Sequence, residues 1–219
     1  MKVGIVVFPG TNCERDVAHA LGLLGADTEL VWHRETNLDG FDRIVLPGGF
    51  AHGDYLRAGA IARFSPVMGP VADAAAAGVP VLGICNGFQV LCEAGLLPGA
   101  LIANRDLRFI CRPVHVRVES TTSIITRAAR PGQVLRIPLN SYEGNYVPGD
   151  SAPIPVLRYC EPDGTASDAA NPNGSIDAIA GVTNAAGNVV GLMPHPERAV
   201  EQFMVSTDGR VLLESFLAS

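Results

Sequence analysis

Apolar residues follow two rhythms along this chain. Up to about residue 100 they come in short unbroken runs separated by segments of helical spacing. VGIVVF (3–8) reads as a strand and PGTN as the turn after it. Thr11 and Glu14 stand at capping-box spacing, and Val17, Ala18, Leu21 and Leu24 form a helical stripe that stops at Gly25. TELVW (28–32) and RIVLPGG (43–49) follow as strands, the second running into a glycine turn. An alanine-rich stretch over about 56–77 predicts a long helix ending at Gly78, and VPVLGIC opens a fourth strand.

The second rhythm begins at ICRPVHVRVE (110–119). Val114, Val116 and Val118 share one face and His115, Arg117 and Glu119 the other. VLRIPL, PVLRYC, IAGVT and VVGLM continue as strands, with NPNGS (171–175) and NAAGN (184–188) as hairpin or loop signals. A last helix is expected at about 208–218. Continuous apolar strands separated by helices imply a parallel sheet covered on both faces. The expected architecture is therefore α/β and three-layered, with a doubly wound, mostly parallel sheet built by residues 1–100 and an antiparallel extension. No repeat, low-complexity tract or linker interrupts it, so a single domain over 1–219 is expected.

Composition narrows the function classes. Apolar residues make up 47% and charged residues 17%, which fits a globular chain. A net charge of −6 argues against nucleic acid or an anionic membrane as the main partner. No apolar run reaches the roughly 18 residues of a membrane span, and the N-terminus reads as a strand rather than a signal peptide. The five cysteines, Cys13, Cys85, Cys92, Cys111 and Cys160, include no CxxC pair. That spacing suits neither a disulfide framework nor a zinc site, so free thiols, no metal and a reducing cytoplasm are expected.

The chemistry centres on GICNG (83–87). G-x-C-x-G between a strand and a helix is a nucleophile elbow carrying a thiol. Its glycines are required because a Cβ would collide with neighbouring backbone. A helix N-terminus favours the thiolate of Cys85, and the N–H of Asn86 points where an oxyanion would form. Among five histidines, His19, His33 and His115 read as surface or packing residues. His52, after the glycine loop, is a rival base. His195 in GLMPHPER is preferred, because Glu197 two residues on can hold one ring nitrogen while the other faces the thiol. PGGF (47–50) supplies Gly48 and Gly49, whose backbone can turn inward as a second oxyanion donor. It is too short for a Walker A loop and lacks its Lys-Ser/Thr, so no nucleotide is assigned to it.

The elbow cysteine, the His-Pro-Glu near the C-terminus and the upstream PGG resemble the class I glutamine amidotransferases, which have a flavodoxin-like fold. FPGTNCERD (8–16), LPGGFAHGDYLRAGAIAR (46–63), GICNGFQVL (83–91), FICRPVHVRVE (109–119), EGNY (143–146) and LMPHPER (192–198) narrow the resemblance. They are similar to the family of glutaminase subunits of phosphoribosylformylglycinamidine synthase, in purine biosynthesis. The resemblance implies that Cys85 attacks the glutamine amide, His195 passes a proton to departing ammonia and Glu197 orients it. Gly49 or Phe50, with Asn86, would supply oxyanion N–H groups, and Gln89 a substrate contact. It also implies a synthetase subunit, using ATP and Mg²⁺, and a small accessory subunit as partners, with no cofactor in this chain. Where that family commonly has His-Gly-Glu-Gly-Asn, this chain has NSYEGN (140–145), so Ser141 and Tyr142 replace the His-Gly pair. A stand-alone cysteine hydrolase, or a thiol-dependent binding protein on the same fold, is the alternative.

Overall fold

The computed structural model describes residues 1–218. The chain runs β1 (Lys2–Val7), α1 (Glu14–Leu23), β2 (Asp27–Trp32), β3 (Arg43–Leu46), α2 (Met68–Ala76), β4 (Val81–Ile84) and α3 (Asn86–Glu93). It continues through β5 (Ala100–Ile102), β6 (Ile110–Val118), β7 (Val134–Ser141), β8 (Asn145–Val147) and β9 (Ile154–Cys160). β10 (Ile179–Thr183), β11 (Val189–Leu192) and α4 (Gly209–Ala218) complete it.

Nine strands form one sheet in the order β2-β1-β3-β4-β11-β10-β9-β6-β7, and β5 pairs with β8 beside it. Neighbours from β2 to β11 are parallel, and those from β11 to β7 antiparallel. The parallel part has the flavodoxin-like order, in which ligands bind beyond the carboxyl ends of the strands near the point where the order reverses. Here that point lies between β1 and β3.

Burial explains the two rhythms. Every residue of β3, β4 and β11 is buried, as strands covered on both faces require. In β6, Val114, Val116 and Val118 are buried and the intervening His115 and Arg117 only partly so. β2 closes the parallel edge and leaves Leu30 and Trp32 half exposed. Arg43 is buried in β3 and caps the last helix, its guanidinium donating to the carbonyls of Phe216 and Leu217. Those are orphan acceptors of a helix C-terminus, where a cation is favoured.

Three expectations need correction. The parallel sheet is not confined to residues 1–100, because its fifth strand is β11, inserted from near the C-terminus beside β4. The helix expected over 56–77 shrinks to Met68–Ala76. Upstream lie two short 3₁₀ turns and a loop in which Gly59, at φ +82, rests on the Gln89–Val90 backbone; a Cβ there would stand 2.8 Å from Gln89 C. Alanine content favours a helix, but this contact imposes a left-handed residue that only glycine adopts cheaply. Thr11 does not cap α1: its hydroxyl accepts the Phe8 N–H at 3.0 Å, and Cys13 holds the N-cap position without a side-chain cap bond. NPNGS, read as a hairpin or loop signal, is a loop whose Asn173 is buried, donating to Gly144 O at 2.6 Å.

α3 packs on β3, β4, β5 and β11. Its Phe88 is fully buried, stacks on Tyr146 with ring centroids 5.9 Å apart, and occupies the space a Cβ on Gly191 would need. Truncation there leaves a void that the glycine-lined strand cannot collapse into. Phe88→Ala is expected to lower unfolding free energy by about 3–5 kcal/mol, measured by urea denaturation followed by circular dichroism.

Candidate active site

Cys85 sits between β4 and α3 with φ 50° and ψ −106°. Such a conformation costs a non-glycine residue on the order of 1–3 kcal/mol and persists only where its surroundings fix it. The surroundings are visible. A Cβ on Gly83 would stand 2.7 Å from Gly87 C, and one on Gly87 would stand 1.8 Å from Leu46 O. The helix therefore starts in direct backbone contact with β3 and β4, and the thiol is thrown forward over their ends. Its S–H donates to Asn140 O at 3.4 Å.

β11 lies parallel to β4 with Gly191 opposite Gly83 and Leu192 opposite Ile84, so the two chains leave the sheet side by side. Cys85 N–H donates to Leu192 O at 2.8 Å, and His195 N–H to Pro138 O at 2.8 Å. His195 Nδ1 is 2.7 Å from Glu197 Oε1, and both residues are buried, at 2% and 1% exposure. Burial opposes a charged imidazole, but the Glu197 carboxylate and then the Cys85 and Cys13 sulfurs outweigh it. The His195 pKa is held well above its ordinary value.

Gly48 lies beneath this group. A Cβ there would be 2.8 Å from His195 Cε1, 3.1 Å from Cys13 Sγ and 3.5 Å from Cys85 Cβ. His52 does not reach the thiol. It is hydrogen-bonded to Ser65 Oγ at 3.2 Å and packs edge-on against His33. His19 pairs with Glu201 at 2.7 Å, which leaves His195 as the histidine placed at the elbow.

A cleft of ≈ 490 Å³ opens over Cys85, Gly49, Phe50, Gln89 and His195. Gly49 has φ +149°, and a Cβ on it would meet Thr11 Cα at 2.7 Å, so PGGF is pressed against the loop after β1. Phe50 is removed as an oxyanion donor: its N–H donates to Gly10 O at 2.9 Å, leaving Gly49 as the donor this loop can offer. The Asn86 side chain turns away from the cleft, accepting the Ala51 N–H at 2.9 Å and donating to Gln89 Oε1 at 2.9 Å and Asp54 Oδ1 at 3.2 Å. Gln89 in turn donates to Glu143 O at 2.6 Å, tying α3 to the NSYEGN loop.

Several cleft residues escaped the sequence reading: Cys13, Asp54, Asn140 and Arg198. Asp54 is pushed up to about 6 by burial and by Glu143, against a hydrogen bond from Asn86. Cys13 and Asp54 lie in the quoted FPGTNCERD and PGGF…GDY blocks, but only the strand order shows that these loops meet. The atypical NSYEGN loop is held by buried asparagine. Asn104 donates to Ser141 O at 2.8 Å and accepts from Gly144 N at 3.0 Å. Ser141 is buried and Tyr142 stands half exposed at the rim of the cleft.

The raised His195 pKa has a direction for stability. A histidine whose folded pKa exceeds its unfolded value, near 6.5, contributes stability that is fully present below that value. The contribution is lost as pH rises through the folded pKa. Glu197→Gln removes the strongest influence raising it. Unfolding free energy measured from about pH 6 upward is therefore expected to fall in the parent and to change less in the variant.

Comparison with known proteins agrees with this geometry. The family described as CobB/CobQ-like glutamine amidotransferase domain matches residues 1–212. The chain is 51% identical to the phosphoribosylformylglycinamidine synthase subunit PurQ of Moorella thermoacetica, covering 99% of this chain and 95% of that protein. It is 53% identical to the subunit of the same name from Gloeobacter violaceus, covering 100% and 98%. Among solved structures, PurLQS from Thermotoga maritima contains a chain that superposes with a TM-score of 0.91 at 43% identity, covering 99% of this chain and 97% of that one. The chain therefore belongs to the CobB/CobQ-like glutamine amidotransferase domain family, among the PurQ subunits of phosphoribosylformylglycinamidine synthase.

Proposed function

We propose that this chain is a single glutamine amidotransferase domain that releases ammonia from glutamine through Cys85, His195 and Glu197. The observation that carries this reading is the buried His195–Glu197 pair, 2.7 Å apart, set beside an elbow thiol at the ends of adjacent strands. Cys85 Sγ attacks the side-chain carbonyl carbon of glutamine as its proton passes to His195. The oxyanion takes hydrogen bonds from the N–H groups of Asn86, the first residue of α3, and of Gly49. His195, held as imidazolium by Glu197, gives its proton to the leaving nitrogen, and the C–N bond breaks to release ammonia. The γ-glutamyl thioester that remains is attacked by water, from which His195 takes a proton. The C–S bond breaks, and glutamate leaves with the thiol restored.

The ammonia is consumed by a synthetase subunit, which uses ATP and Mg²⁺ to make formylglycinamidine ribonucleotide, with a small accessory subunit in the complex. Half-exposed Phe50, Phe109 and Tyr142 at the cleft rim support a partner-covered mouth rather than a free-standing hydrolase. The complex would work in the cytoplasm.

A diazoketone analogue of glutamine, followed by peptide mapping, is expected to give one adduct, at Cys85, absent in Cys85→Ala. An adduct at Cys13 or Cys92 instead would overturn the assignment. In the assembled complex, His195→Ala should lower glutamine-dependent synthesis by at least ~100-fold while ammonia-dependent synthesis persists. The same phenotype in His52→Ala, with His195→Ala unaffected, would name the other histidine as the base.

A further inference from the structure

In the loop that follows PGGF, His52 at φ 53°, Asp54 at φ 52° and Leu56 at φ 70° all take left-handed backbone. That region disfavours a side chain and lasts only where surrounding contacts impose it. The contacts here lead to α3. Ala51 N–H donates to Asn86 Oδ1 at 2.9 Å, and Asp54 Oδ1 accepts from Asn86 Nδ2 at 3.2 Å. Gly59 rests on the Gln89–Val90 backbone, and Ala58 N–H donates to Glu143 Oε2 at 3.0 Å. The loop is thus fastened to the first turn of α3 and to NSYEGN.

Asn86 follows the elbow cysteine and is buried, so its amide needs partners. Nδ2 donates to Asp54 Oδ1 and to Gln89 Oε1, and Oδ1 takes the Ala51 N–H. A turned-over amide would set Nδ2 against the Ala51 N–H and Oδ1 against two acceptors. Asp54, pushed up to about 6, is still ionised at neutral pH and can then only accept. Among the described residues it makes no ion pair, and Arg57 is bound to Glu93 through contacts of 2.6 and 2.7 Å. Ala51 lies two residues beyond Gly49, and Phe50 between them is committed to Gly10 O. The Asn86 side chain therefore ties the residue bearing one oxyanion N–H to the loop bearing the other.

We infer that Asp54 is a positioning residue for the glutaminase reaction: by holding the Asn86 amide in one orientation, it fixes the Asn86 N–H and the Gly49 loop as one oxyanion hole. Asp54 acts through Asn86 rather than on the substrate. The requirement is strict, because donors must lie about 2.7–3.1 Å from where the oxyanion forms. Left-handed backbone at Asp54 is then the strain that brings its carboxylate to Asn86. The oxyanion exists only in the tetrahedral states, so the effect falls on kcat and not on glutamine binding. This inference rests on the proposed glutaminase reading.

The test compares Asp54→Gly and Asp54→Asn with the parent in the assembled complex. Glycine suits the left-handed backbone but offers no acceptor, whereas asparagine tolerates that backbone and keeps an acceptor oxygen for Asn86 Nδ2. In Asp54→Gly, kcat for glutamine hydrolysis is expected to fall at least ~10-fold while KM changes less than ~3-fold. Asp54→Asn should recover most of that loss. Iodoacetamide alkylates a thiolate without forming an oxyanion, so its rate at Cys85, read by peptide mapping, should stay within ~2-fold of the parent in both variants. Thermal melting checks that each variant is folded, and Asp54→Ala, which also lacks an acceptor, replaces the glycine variant if that one is not. A kcat within ~3-fold of the parent overturns the inference, as does a loss confined to KM, which would make Asp54 a substrate contact. Alkylation slowed in step with kcat overturns it too, since that marks a distorted elbow, and so does an asparagine variant no better than glycine. Diazoketone labelling of Cys85 in the parent tests the glutaminase reading by itself, so its failure is distinct from failure here.

Discussion

The parallel pairing of β11 with β4 is the constraint on which the site depends. One strand leads into the elbow cysteine and the other into the histidine, and their register brings both out of the sheet at the same level. The Cys85 N–H donating to Leu192 O continues that ladder by one bond beyond the strands. A slip of one residue would turn every side chain of a strand to its other face, and here it would also part the thiol from the imidazole. Glycines hold the register rigidly. Gly83, Gly87 and Gly191 each occupy a place where a methyl group would strike backbone or Phe88, so strands and helix cannot drift apart or slide without opening a void.

Around this rigid pair the cleft is made of loops, held by polar contacts instead of packing. The NSYEGN segment is fastened by Asn104 on one side, Asn173 on another, and Gln89 of α3 beneath. Each of these amides is buried and satisfied, which fixes the loop where a hydrophobic contact would only have crowded it. The exchange of a His-Gly pair for Ser141 and Tyr142 is accommodated within that frame, with the serine turned inward and the tyrosine at the rim. The partly buried Asp54, kept close to Glu143 and Asn86, gives the same wall of the cleft a carboxyl pushed up to about 6.

Local patterns were legible wherever burial alone decided them. The unbroken runs of β3, β4 and β11 and the alternation of β6 follow directly from strands covered on two faces or one. The elbow was legible for a stricter reason: glycine at both positions beside a strand–helix junction admits few other geometries. Composition misled at residues 56–67, where alanine suggested a helix. A backbone-to-backbone contact between Gly59 and α3 decided otherwise, and propensity carries no information about such a contact. The Thr11–Glu14 spacing misled in the same way, since the threonine hydroxyl found a nearer backbone donor.

The sequence by itself determined the chemistry on offer: a thiol in an elbow, a histidine two residues from a carboxylate, and a glycine loop between strand and cleft. Each is set by residues close together in the chain, where steric and hydrogen-bonding rules act locally. Only the tertiary structure decided which groups meet. That β11 lies beside β4, that Phe50 spends its N–H on Gly10, and that Cys13 stands against His195 are long-range outcomes of strand order. Strand order reflects how the whole sheet covers its apolar faces, a global optimum that no short segment encodes.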